Sequence, residues 1–153
     1  MSEKAKFIAS QQTEAEQRAA AEKKAAEDIA AFQEASLQLA KDLKSWVEGT
    51  PITAETRQVT VRDETVRKEY AATETTLRFN DKRLVFRPNA LYLLGGMGLV
   101  EIGGLKYDAH LTRINGTYPW QWTLTVKQAP KNQQQPARFD EEALFSLLNN
   151  HLK

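Results

Sequence analysis

Residues 13–48 contain no glycine and no proline, and they are dense in Ala, Glu, Lys and Gln, which lose little on entering a helix. A chain of 153 residues with such a stretch must carry one long helix, and the remainder has to be built against it. Gly49 followed by Pro51 is a stop signal, because glycine takes the left-handed backbone that ends a helix and proline cannot continue one. Thr13-Glu14-Ala15-Glu16 fits a capping box, and Ser2 offers an earlier start.

The second half of this helix has an apolar stripe. Ile29, Phe32, Leu39, Leu43 and Trp46 recur at spacings of three and four, with Ser36 in the vacant slot. Five large apolar side chains need a cover, either the sheet of the same molecule or a second copy of the helix. They are therefore the candidate partner-binding residues. Upstream the seam continues through Ala15, Arg18, Glu22 and Ala25, which have little to bury. That half is expected to project into solvent or to meet a partner.

Beyond Arg57 the period changes to two. In 118–127 the residues Tyr118, Trp120, Trp122, Leu124 and Val126 fall on one face, the mark of a half-buried antiparallel strand. A hairpin at Asn115-Gly116 sets Leu111 against Trp120, Ala109 against Trp122, Tyr107 against Leu124 and Leu105 against Val126. Pro119 favours a loop over 114–117, which turns its missing N–H outward. A turn at Gly103-Gly104 sets Ile102 against Leu105, Val100 against Tyr107 and Glu101 against Lys106. A turn at Asp81-Lys82 sets Phe79 against Leu84 and Leu77 against Phe86. Earlier, Asp63-Glu64 is a candidate turn, but it sets Val59 against Lys68. Residues 130–138 read as a polar linker. A helix over 139–152 follows, capped by Asp140, stapled by Phe139 to Leu144, with Ala143, Leu144, Leu147, Leu148 and Leu152 as its apolar stripe.

The fold class is therefore α+β: a helical arm over 1–49, then a curved antiparallel meander of six to eight strands with a C-terminal helix over 50–153. The layout of the meander and its last helix is similar to that of pleckstrin-homology-like domains, a likeness of architecture that carries no functional residue.

Charge and composition exclude several classes. The net charge is +1, so the molecule as a whole is no polyelectrolyte. Residues 1–49 carry −2, residues 50–138 carry +5 and residues 139–153 carry −2. The absence of cysteine removes disulfides, thiolate metal sites and cysteine nucleophiles. Nothing in MSEKAKFIASQQ reads as a signal peptide or a membrane span, so a cytoplasmic location is expected.

Candidate sites are few. Asp108 and His110 share one face of a strand beside Thr112, and a carboxylate beside an imidazole can orient a general base or a metal ligand. Side chains two apart on a strand also meet simply as a solvated face, so a hydrolase-like enzyme there is an alternative and a structural role the expectation. Gly95-Gly96-Met97-Gly98 lacks the lysine and the following helix of a phosphate loop, and reads as a bend or bulge between strands. Arg62, Arg78, Arg83 and Arg87 form a possible anion-binding face, the last three opposite Leu77, Phe79, Leu84 and Phe86. Nucleic acid or anionic lipid is the alternative partner there, although Glu74 and Asp81 interleave and no exposed aromatics accompany the arginines. Asn115-Gly116-Thr117 is formally a glycosylation sequon. The expected function is a non-catalytic protein-binding or assembly module without a cofactor, contacting itself or a protein partner through the N-terminal helix.

Overall fold

The structure is a computed structural model that describes residues 2–93, 96–113, 122–127 and 137–153. The chain is α+β. Helix α1 (Glu3–Val47) leads into an open sheet of seven antiparallel strands in strict sequence order, closed by helix α2 (Glu141–Asn150). The strands are β1 (Thr53–Asp63), β2 (Lys68–Phe79), β3 (Lys82–Leu93), β4 (Gly96–Gly103), β5 (Ala109–Thr112), β6 (Thr123–Val126) and β7 (Ala137–Arg138).

Helix α1 starts at the earlier of its two start signals. Ser2 is the N-cap and accepts from the Ala5 N–H, whereas Thr13 lies inside the helix and donates its hydroxyl to the Ala9 carbonyl. At 45 residues the helix is about 70 Å long. Its carboxyl half lies on the sheet. Phe32, Leu39, Leu43 and Val47 share one core with Leu77, Leu84, Phe86, Leu91, Leu111 and Leu144, and Ile29 and Trp46 pack partly buried against it. Phe32 meets Tyr70 edge-on at 6.2 Å and the Trp122 ring at 6.5 Å. Gly98, at φ +128, leaves room for that ring: a Cβ there would come within 2.8 Å of a Phe32 ring carbon. Gly96 and Gly98 are thus part of β4, while Gly95 lies outside the described residues.

The hairpins keep their faces but not their expected registers. Between β2 and β3 the loop is Asn80-Asp81, with Asn80 at φ 52, so Leu77 faces Leu84 and Phe79 faces Lys82. Between β4 and β5 Ile102 faces Ala109, Val100 faces Leu111 and Glu101 faces His110, not Lys106. Between β5 and β6 Ala109 faces Val126 and Leu111 faces Leu124, so Trp122 and Trp120 are not the partners of Ala109 and Leu111. Trp122 is buried; Trp120, Pro119, Asn115 and Gly116 lie outside the described residues.

A competitor for the residues after Gly104 accounts for the four-residue displacement between β4 and β5. Leu105 leaves the ladder to bridge Leu152; the Lys106 N–H donates to the His151 carbonyl at 2.7 Å, and the Lys153 N–H donates to Gly104 at 3.1 Å. The segment after Gly104 thus pairs with the chain end. Leu152 stands just beyond α2 rather than within it, and Ala137-Arg138, expected as linker, pairs with β6. Asp140 caps α2 as its sequence requires, accepting from the Ala143 N–H.

The first hairpin resolves its own misfit. A four-residue loop, with Arg67 at φ 53, sets Asp63 against Lys68, Val61 against Tyr70 and Val59 against Ala72. The β2–β3 ladder runs only from Thr75↔Phe86 to Phe79↔Lys82, so the far part of the β1–β2 hairpin stands away from β3. Side chains span the gap. Ser36 accepts from the Thr73 N–H and Gln33 donates to the Ala71 carbonyl, so helix α1 hydrogen-bonds to the strand. At the tip, buried Asp63 accepts from the Tyr70 hydroxyl at 2.6 Å and the Leu91 N–H at 2.7 Å, and Thr65 Oγ1 accepts from the Tyr92 N–H.

Candidate functional site

Of the two covers open to the stripe, Ile29, Phe32, Leu39, Leu43 and Trp46 have the sheet of their own molecule. Phe32 and Leu43 are fully buried and Leu39 is 3% exposed, so those faces are not presented outward. What stands apart is the amino half of the helix. Within residues 3–24 every side chain is exposed except half-buried Ala5, and Phe7 and Ile8 are 65% and 47% exposed near the tip.

The arm leaves the body at a defined point. The Tyr92 hydroxyl on β3 donates to Asp28 at 2.6 Å, and Lys24 reaches the same carboxylate at 2.8 Å while lying over the Tyr92 ring. Burial, the largest influence on Asp28, pushes its carboxyl up, but the bonds from Lys24 and Tyr92 outweigh it and hold it below the ordinary value. Burial and the Asp28 carboxylate together push the Tyr92 hydroxyl up to about 12.

The arginine face exists in altered membership. Arg78, Arg83 and Arg87 line one trough of about 310 Å³ on the sheet surface, joined by Arg57, Glu55 and Glu74. Arg62 is elsewhere, paired with Glu69 across the β1–β2 hairpin. Arg57 is the residue that sequence reading missed; its signal was the direct pairing with Glu74, legible only once the β1–β2 register is known. Glu74 has a 5% exposed side chain, bonded by Arg57 Nε at 2.9 Å and Arg87 Nε at 3.1 Å.

His110 sits opposite Glu101 on β4 and Thr125 on β6, at a cleft of about 430 Å³ that Asp108 and Lys127 also line. No hydrogen bond joins His110 to Asp108 among the described residues; Asp108 is exposed and its backbone carbonyl takes the Lys127 N–H. Burial first, and then the Lys127 ammonium, hold the imidazole below the ordinary histidine range against a smaller upward pull from Glu101. Because the folded value is depressed, the unfolded chain binds the proton more readily. Any stability from this group is present above 6.5 and is lost as pH falls through the folded value. An NMR titration of the His110 ring is expected to give a midpoint below 6.5; a midpoint above it would mean that Glu101 outweighs burial.

Among the described residues, no group of three or more His, Asp or Glu side chains is placed to hold a metal ion, and no helix is long and apolar enough to cross a membrane. No family model, curated protein or solved structure matches this chain.

Proposed function

We propose that the protein is a non-catalytic assembly module in which the helical arm of one copy packs on the arm of another. The observation that carries the reading is the exposure of residues 3–24, with Phe7 and Ile8 uncovered at the tip of a helix whose other half is buried. A helical stretch that packs on nothing rests on propensity alone and is marginal in water, so a partner that covers it adds stability.

The arm is also complementary to itself. In an antiparallel pair centred on Ala20, Arg18 faces Glu22 and Ala15 faces Ala25 of the second copy. The arrangement occurs twice by symmetry. Alanines let the two backbones approach closely, and the exposed ion pairs set orientation more than strength. Contact with a different protein through the same arm is the second outcome that the test separates.

Because Lys24 and Asp28 hold Tyr92, the deletion that isolates the arm should stop at residue 22. Sedimentation of the full chain is expected to show concentration-dependent association, and the chain without residues 1–22 to be a folded monomer. Arg18→Glu should weaken association and the added change Glu22→Arg should restore it. The same number of copies per particle for full-length and truncated chains at every concentration would remove self-assembly through the arm.

A further inference from the structure

We propose that the trough between Arg57, Arg87, Arg78 and Arg83 is a binding site for a dianionic phosphate group, as carried by a phosphomonoester. The argument starts from register. Arg57 pairs with Glu74, Glu55 with Thr76, and Arg78 with Arg83 across neighbouring strands. Thr76 and Val85, opposite each other and half-buried, line the trough between these rows of charge. Successive residues on one face of a strand are about 6.5–7 Å apart, so guanidinium groups flank a floor wide enough for one phosphate.

Charge and hydrogen bonding agree with that occupant. Four arginines and two glutamates line the trough, a difference of two positive charges. Arg57 and Arg87 are both held through Nε by Glu74, and Arg78 through Nε by Glu55. The carboxylates thus orient the guanidinium planes while the terminal Nη groups remain available to donate, the fork that suits phosphate oxygens. Arg83 has no carboxylate within ion-pair distance among the described residues. It stands directly opposite Arg78, a like-charge pair that is unfavourable until an anion lies between the two. The trough is short and carries no stacking aromatic, which favours a single phosphate over a nucleic-acid strand.

The test is calorimetric titration of the full chain with inorganic phosphate at low ionic strength. Saturable binding is expected, weakened about tenfold or more by Arg83→Gln. Arg62→Gln, which removes an arginine outside the trough, should leave it unchanged. Glu74→Gln separates a built site from a mere excess of charge. It adds net positive charge, so simple attraction would tighten binding; loss of the brace on Arg57 and Arg87 should weaken it instead. If Glu74→Gln does not fold, exposed Arg83→Gln still decides. Vesicles of phosphatidic acid that bind and are competed by inorganic phosphate would assign the group to a lipid headgroup. Binding of phosphate without those vesicles would assign it to a soluble ester. The proposal is overturned by absence of saturable binding, by equal effects of Arg83→Gln and Arg62→Gln, or by tightening in Glu74→Gln. An oligothymidylate that binds and is not displaced by phosphate would overturn it equally.

Discussion

The double change Leu39→Asp and Leu43→Asp is expected to unfold the protein at every concentration. Leu39 is 3% exposed and Leu43 fully buried in the core between α1 and the sheet. Each substitution loses about 1.5–3 kcal/mol of apolar burial and forces a carboxylate into a site with no partner, which costs several kcal/mol more. The sum rivals the whole stability of a domain, about 5–15 kcal/mol. Concentration is the discriminating variable, because only a contact between chains obeys mass action. Far-ultraviolet circular dichroism and sedimentation of the double variant check this. A folded monomer would mean that the stripe is a seam between molecules and that the sheet does not cover it.

Asp63→Ala is expected to be the most damaging single polar substitution, at roughly 2–6 kcal/mol, since it orphans buried donors worth about 1–3 kcal/mol each. Asp63 is 3% exposed and accepts from the Thr65 N–H, the Thr65 and Tyr70 hydroxyls and the Leu91 N–H. Burial, the largest influence, pushes its carboxyl up, but these donors outweigh it and the net shift is downward from 3.8. The same pair drives the Tyr70 hydroxyl far above the ordinary tyrosine value, burial first and then the Asp63 carboxylate. With its folded value depressed, Asp63 contributes stability fully above 3.8, and the contribution fades as pH falls through the folded value. Hence the parent chain should lose stability in acid more steeply than Asp63→Ala does. Hydrogen exchange at the Leu91 amide should quicken in the variant, since that N–H loses its acceptor. Unchanged protection there, with unchanged denaturant midpoint, would show that the hairpin tip is held by something else.

Faces were legible in the sequence and registers were not, for one physical reason. Alternation has period two, so an even displacement leaves the faces of each strand unchanged: Leu111 meets an apolar partner whether it faces Trp120 or Leu124. Local hairpin matching therefore had nothing to choose between them. Between β4 and β5 the choice came from distant residues, where Leu152 and His151 draw Leu105 and Lys106 out of the ladder. Ser36 was legible as the gap in the stripe, but its bond to the Thr73 N–H depends on β2 and β3 parting. Asp63 read as a turn residue; nothing local marks it as the acceptor for a strand 28 positions away. For the trough, the alternation of Arg78, Arg83 and Arg87 was visible, while Arg57 and the bracing by Glu74 required the pairing of β1.

Each strand pairs with the one made just before it, so the sheet can assemble in the order in which the ribosome delivers it. The helix cannot. Its stripe leaves the ribosome first, yet Phe32 rests on Tyr70 and Trp122, and Trp46 on Phe139. At about 5–20 residues per second, the ninety-odd residues from Phe32 to Trp122 take roughly 5–20 s. For that interval the apolar stripe has only the first strands to pack on, since Tyr70 has arrived but Trp122 and Phe139 have not. Full cover of the stripe therefore waits on the last strands and the segment before α2, so a chain cut short before Trp122 is expected to expose part of it.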